Sequence, residues 1–247
     1  MRNIILIVFL LAGGIYIVSK QSGDNNTKAE PKPTAPFHIV LGLDPSGTTI
    51  GNGWPWPSKS FFEDLVDFLE KNGGGTLEIY NFSNPVPQSV KIKIEPTVSK
   101  PDVYSGEAEV KKVEQQNNSI TSKNQNAKDV FWQMLETKIL NYQPAKGNDY
   151  TYAISSITAM ERSLKLPQYS GYNQFALIYS DLLDETPRSK ATLVSNEVLS
   201  QLVTLSQLSI SNPTSPSNDY ENLGAVSLPS YSDFIELINS YSLTVKN

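Results

Sequence analysis

One stretch constrains this chain more than any other. Phe37-His38-Ile39-Val40-Leu41-Gly42-Leu43 is a nearly continuous apolar run, and it ends abruptly in Asp44-Pro45-Ser46-Gly47-Thr48. Such a run marks a central strand covered on both faces. A second run, Phe175-Ala176-Leu177-Ile178-Tyr179, has the same character and ends in Ser180-Asp181. Between and after them, helical spacing alternates with strand signals. Ser58 offers an N-cap for a helix over Lys59 to Lys71, with Phe61, Phe62, Leu65, Phe68 and Leu69 on one face. Asn72-Gly73-Gly74-Gly75 stops it. Thr76 to Phe82 reads as a strand, and Val90 to Ile94 alternates as an edge or antiparallel strand does.

Helical spacing returns at Ala127 to Leu140, where Val130, Phe131, Met134, Leu135 and Ile139 share a face, and from about Tyr150 to Leu164. A helix over Asn196 to Leu208 follows the second buried strand. A polar loop (Ser211 to Asn222), a short strand (Ala225 to Leu228) and a last helix (Ser232 to Tyr241) complete the chain. Glu95 to Asn126 is rich in Lys, Glu, Asn, Gln and Ser. It reads as a surface excursion with a hairpin near Tyr104-Ser105-Gly106, and not as a core element. No internal repeat is visible. The order predicts an α/β class with a Rossmann-like, doubly wound, mostly parallel sheet flanked by helices.

The N-terminus stands apart. Arg2 precedes an apolar run from Ile4 to Val18, closed by Lys20. It is a signal peptide or an uncleaved membrane anchor, slightly short of the about 17–25 residues that a spanning helix needs. The anchor is preferred, because Ile15-Tyr16-Ile17-Val18 carries the run past the small residues Ala12-Gly13-Gly14. An apolar N-terminal helix over residues 1–20 is therefore expected. Arg2 and Lys20 flank it evenly and leave its orientation open. Residues 21–36 form a polar, proline-bearing tether. The folded domain is expected over 37–247, with the excursion at 95–126.

Composition narrows the chemistry. The chain has 247 residues, no Cys and one His. Disulfides, thiolate metal sites, cysteine nucleophiles and lipid acylation at cysteine are excluded. His38 alone cannot make a multi-histidine zinc site, and on a buried strand it reads as structural. A net charge of −5 argues against nucleic acid as a partner. Only 18% of residues are charged, and the uncharged polar surface suits an extracytoplasmic protein of the cell envelope, anchored, periplasmic or secreted.

In open α/β sheets, ligands gather at the carboxyl ends of strands. Three loops bring oxygen side chains to that edge: Asp44 to Thr48, Gly147 to Thr151, and Ser180-Asp181. Carboxylates and hydroxyls together suit a hard cation such as Mg²⁺, with Mn²⁺ or Ca²⁺ as alternatives.

The Asp44, Ser46, Thr48 pattern after a buried strand resembles the first motif of von Willebrand factor type A domains. There the pattern is usually D-x-S-x-S. Gly147 to Ala153 and Asp181 resemble the second and third motifs. The resemblance covers roughly residues 37–243. It implies a metal-ion-dependent adhesion site, in which a partner protein's acidic side chain completes the coordination. Ser46 and Thr48 would be direct ligands. Asp44 and Asp181 would hold waters or the ion, and one of Asn148, Asp149 or Thr151 would serve from the second loop. Two departures are plain: Asn148 stands where the family has threonine, and Leu182 where it usually has glycine.

Trp54 and Trp56, in the loop after the first motif, are either packing residues or a recognition surface bordering the metal. No enzyme activity is expected. Asp44 to Thr48 also resembles the D-x-D-G-T string of haloacid-dehalogenase-type phosphatases, but Ser46 replaces the acid/base aspartate. Losing a positioned acid/base costs about 10²–10⁴ in rate. A metal-free scaffold of the same fold is the third alternative.

Overall fold

The computed structural model describes residues 10–11, 14–15, 35–46, 54–99, 106–142, 150–187, 189–212 and 220–246. The chain divides into two compact units, Met1–Lys32 and Pro33–Asn247. In the first, β1 (Leu10–Leu11) pairs antiparallel with β2 (Gly14–Ile15). This differs from the expected apolar helix, and the Gly13-Gly14 pair, poor in helix propensity, lies within that stretch. The rest of residues 1–20 lies outside the described residues. Among the described residues no helix is long and apolar enough to cross a membrane.

The second unit is an α/β domain. Its strands are β3 (Phe37–Leu43), β4 (Gly75–Asn81), β5 (Ser89–Ile94), β6 (Asn173–Tyr179), β9 (Gln207–Ser211) and β10 (Val226–Ser227). They lie in the order β10-β9-β6-β3-β4-β5. All neighbours are parallel except β4 and β5, so the sheet carries one antiparallel edge strand. The chain runs outward from β3 to β4 and β5. It then returns to β6 on the other side of β3. The β3–β6 seam is therefore the topological switch point, where such sheets open a crevice at their carboxyl ends.

Alternation along each strand sorts the core into two layers. Ile39, Leu41, Leu77, Ile79, Phe175 and Leu177 face one way. They are covered by α1 (Lys59–Lys71), the last turns of α2 (Glu107–Leu135) and α5 (Asp233–Lys246). Val40, Ala176 and Ile178 face the other way, under α3 (Ala153–Leu164) and α4 (Asn196–Leu205). Helix α1 buries Phe61, Phe62, Leu65, Val66, Phe68 and Leu69. Truncating one such phenylalanine to alanine costs about 3–5 kcal/mol. Asn72 ends the helix, donating from its amide side chain to the Phe68 carbonyl at 2.8 Å. The glycines after it are required by space. At Gly75, φ is +145°, and a Cβ would stand 2.1 Å from the Phe37 carbonyl oxygen. At Gly42, a Cβ would enter the Phe82 ring and the Met160 sulfur.

Three expectations are corrected. Glu107 to Asn126 is not an excursion but the first part of the 29-residue α2, and the Ala127 helix is its continuation. A π-helical turn, Glu136–Leu140, extends it. Tyr104 and Ser105, the expected hairpin, lie outside the described residues. Val130 does not join Phe131, Leu135 and Ile139 in the core but is 59% exposed. The helix at Asn196 stops at Leu205, because Gln207-Leu208-Ser209-Ile210-Ser211 alternates and pairs as β9. An unexpected hairpin, β7 (Leu183–Thr186) with β8 (Ser189–Leu193), follows Asp181.

Candidate metal site at the carboxyl rim

Strands β3 and β6 run in register, with Leu43 beside Tyr179. The ladder continues one step, Asp44 N–H donating to the Tyr179 carbonyl at 3.0 Å. Asp44 and Ser180-Asp181 therefore leave neighbouring strands at the same end of the switch-point seam.

Asp44 is fully buried. The Ser46 backbone N–H donates to its Oδ1 at 2.9 Å, and the Ser46 hydroxyl also bonds the carboxylate. The Ser180 hydroxyl donates to Oδ2 at 2.7 Å. From the second loop, the Thr151 hydroxyl donates to Oδ1 at 3.3 Å. Burial pushes the Asp44 carboxyl up from an ordinary 3.8 to about 6, and the nearby Asp181 charge adds to the rise, while the Ser180 and Ser46 hydrogen bonds oppose it.

Asp181 is buried, and its Oδ1 accepts from Leu183 N–H at 3.0 Å. Leu182 follows with φ at +61°, the only non-glycine with positive φ among the described residues. That backbone region favours glycine, so Leu182 is strained there.

The β7 strand stitches the second loop to this rim. Thr151 and Glu185 exchange backbone hydrogen bonds at 2.9 and 2.8 Å. Asp184 accepts from Ile154 N–H at 2.9 Å in the first turn of α3, where a carboxylate complements the helix dipole.

The structure thus gathers Asp44, Ser46, Thr151 and Asp181. Thr48, Asn148 and Asp149 lie outside the described residues. Trp54 and Trp56 are half-buried. Trp54 packs 5.7 Å from the Tyr179 ring, and Trp56 donates from Nε1 to the Ile139 carbonyl at 3.2 Å. The Tyr179 hydroxyl donates to the Pro55 carbonyl at 2.8 Å. The Trp-Pro-Trp-Pro loop is tied to the core beneath it, as the packing reading expects.

Sequence reasoning placed Ser180 at this edge but not its bond to Asp44, and it did not foresee the Asp184 bond to α3 or the Glu185 bridge to Thr151. A serine directly after a buried strand was the one available signal for Ser180. It also missed a second buried network, at the far end of α3. No family model matches this chain, and no curated protein matches it.

In that network Glu78 accepts from the hydroxyls of Ser163 (2.6 Å), Ser89 (2.7 Å) and Tyr80 (2.8 Å), and from Lys91 at 3.4 Å. Burial alone would raise the Glu78 carboxyl. These donors and the Lys91 charge outweigh it and hold the group below its ordinary range. Ser163 gives its single proton to Glu78, so it accepts from His38 Nε2–H at 3.2 Å. His38 stacks on Tyr169, and burial lowers it to about 4, which makes it a neutral structural histidine.

The rim residues fit a hard divalent cation by donor chemistry. They offer two carboxylates and three hydroxyls, all oxygen, with no histidine or thiol.

Proposed function

We propose that this chain is a membrane-tethered, extracytoplasmic protein-binding module of the von Willebrand factor type A kind. A divalent cation, Mg²⁺ first, would sit at the carboxyl rim. Asp44, Ser46, Thr151 and Asp181 would hold it directly or through water, joined by Thr48 and by Asn148 or Asp149. The cation would supply electrophilic character toward an acidic side chain of the partner. Residues 1–20 would provide the tether.

One observation carries the reading. Two carboxylates from adjacent strand ends share a buried, hydroxyl-lined rim. Carboxylates and hydroxyls brought to one rim are the oxygen donors that a hard divalent cation takes.

A second reading, a metal-free scaffold, is favoured by one detail. Both Asp44 oxygens already accept from protein donors. The same detail weighs against the phosphatase alternative, since a nucleophilic carboxylate needs an open oxygen.

Calorimetric titration with Mg²⁺ and Mn²⁺ separates these readings. Binding is expected for the native chain and not for Asp44→Ala, whose fold is checked by circular dichroism. A chain that takes up no divalent ion sinks the adhesion reading. Turnover of a generic phosphoester would favour the phosphatase.

A further inference from the structure

At the amino end of the sheet, away from the rim, the chain's one histidine is sealed under a short strap. His38 is fully buried on β3. Its ring stacks on Tyr169, with centroids 3.7 Å apart and an interplanar angle of 14°. Tyr169 closes a turn of 3₁₀ helix, Pro167–Tyr169, between α3 and β6. Within 165–171 it is the one buried residue, and all the others are exposed. The backbone bonds of this strap are local. Tyr169 N–H donates to the Leu166 carbonyl at 2.9 Å, Ser170 N–H to the Pro167 carbonyl at 3.1 Å, and Tyr172 N–H to the Tyr169 carbonyl at 3.0 Å. Gln174, beside His38 in register, donates to the same Tyr169 carbonyl at 3.2 Å. Tyr169 is thus the plug that holds the strap to the sheet, and His38 is its seat.

The seat suits one protonation state. Ser163 gives its proton to Glu78 at 2.6 Å, so His38 Nε2 carries a hydrogen and Nδ1 is left bare. Nδ1 is buried and has no hydrogen-bond partner among the described residues. A second proton would go there, creating a buried charge and a buried N–H without an acceptor. Two charged groups act on the ring in opposite senses, Glu78 from β4 and Lys91 from β5. The other packed elements face it with Ser163 from α3, Gln174 from β6 and Tyr169 from the strap. Lys91 Nζ already lies 5.1 Å from the centre of the Tyr169 ring, so a charged His38 would set a second cation against it. Burial is the largest influence and holds the His38 ring at about 4.

We infer that His38 and Tyr169 form an acid-sensitive latch: protonation at His38 Nδ1 releases Tyr169 and lifts the 165–171 strap from the sheet. Water then reaches the charged ring. The latch lies at the opposite end of β3 from Asp44 and needs no cation at the rim. With the strap closed the ring charges at about 4, and with it open near the ordinary 6.5. Protons therefore favour the open form. Opening rises as pH falls from 6.5 toward 4 and levels off below. Between pH 7 and 4.5 the opening constant should grow about fiftyfold. Glu78, held below its ordinary range, pushes the same way at lower pH.

Because the chain has one histidine, the imidazole signal in the NMR spectrum of the full chain belongs to His38. It should titrate near pH 4. Hydrogen exchange, corrected for the intrinsic rate at each pH, reads the strap through the Tyr169, Ser170 and Tyr172 amides. Their protection should fall about fiftyfold from pH 7 to 4.5, while Ile39 and Leu41 inside β3 keep theirs. His38→Phe keeps a ring against Tyr169 and cannot charge, so its strap should lose most of this pH dependence. Tyr169→Leu, a second variant, unseats the stack, and His38 should then titrate closer to 6.5. A native ring that titrates near 6.5 overturns the sealed seat. So does a Tyr169→Leu ring that still titrates near 4. A native ring that charges while the strap keeps its protection overturns the latch. That result is expected if Nδ1–H takes Gln174 Oε1, which is also buried and without a partner among the described residues. Equal pH dependence in His38→Phe assigns the opening to other groups and overturns it as well.

Discussion

Asp44 and Glu78 are both buried carboxylates, on adjacent strands and near opposite ends of α3, a helix about 18 Å long. Both accept hydrogen bonds from serine hydroxyls. Yet one carboxyl is raised to about 6 and the other lies below its ordinary range. Burial, the largest influence on both, raises Asp44 further than its hydrogen bonds lower it, whereas at Glu78 the hydroxyl donors and a neighbouring charge outweigh it. Glu78 has Lys91 beside it, whereas Asp44 has Asp181. The Glu78 network pairs its carboxylate with a cation of the chain itself, while the rim brings two carboxylates together.

The largest expected effect lies in the closed network. Glu78→Ala removes the acceptor for three hydroxyls and Lys91 and should cost about 3–5 kcal/mol in urea unfolding, as breaking buried pairs does. A loss below about 1 kcal/mol would mean that the hydroxyls re-pair without Glu78, and the contrast with the rim would collapse.

At the rim the sign should reverse. Asp44→Asn keeps the shape and removes the charge. A rise from 3.8 to about 6 corresponds to about 3 kcal/mol of penalty on the ionised form. Between those pH values the folded chain binds a proton that the unfolded chain does not. Metal-free native stability therefore falls as pH rises through this window. His38 works in the opposite direction, neutral in the fold with its pKa lowered to about 4, but it is present in both proteins and cancels in their difference. Asp44→Asn should match the native chain near pH 3.5. It should exceed it by about 1–3 kcal/mol at pH 7, the lower figure allowing for the weaker bond from Ser180. Excess Mg²⁺ should stabilise only the native chain, by about 2.7 kcal/mol at a hundredfold excess over Kd. A flat difference between the two proteins from pH 4 to 7 would break the comparison.

These regions were not equally legible. Asp44 and Asp181 could be read from the sequence because each directly follows an apolar run, and parallel strands bring their carboxyl ends to one rim whatever the loops do. Thr151 could be placed near them but not singled out from Asn148 and Asp149. Its bond to Asp44 depends on the backbone bridge to Glu185, in a hairpin that Leu183 to Leu193 does not advertise, while Asn148 and Asp149 lie outside the described residues. The Glu78 network was invisible. Its members are spread from His38 to Tyr169 and meet only through strand register and the packing of α3. Leu208 was misassigned to a helix because its neighbours fit both periods over so short a span.

The first part of helix α2, before Ala127, was missed for a different reason, which the smallest prediction addresses. Its inward seam in the first half is polar, so no apolar stripe marks it. Asn124 accepts from Glu95 N–H and donates to the Glu95 carbonyl, both at 2.9 Å. Asn117 does the same for Val98, at 2.8 and 3.1 Å. Seven helical residues rise about 10.5 Å, and three extended residues span about 10 Å. The two amides thus meet the strand's backbone at matching intervals and act as rungs between helix and chain. Asn124, which is buried, should cost about 1–2 kcal/mol on substitution by alanine, since a part-buried N–H and C=O lose their partners. Asn117→Ala, in an exposed setting where water replaces the amide, should cost under about 0.5 kcal/mol. Equal losses at both sites would show that the helix is held by something other than burial of its amide rungs, and hydrogen exchange at the Glu95 and Val98 amides would locate the change.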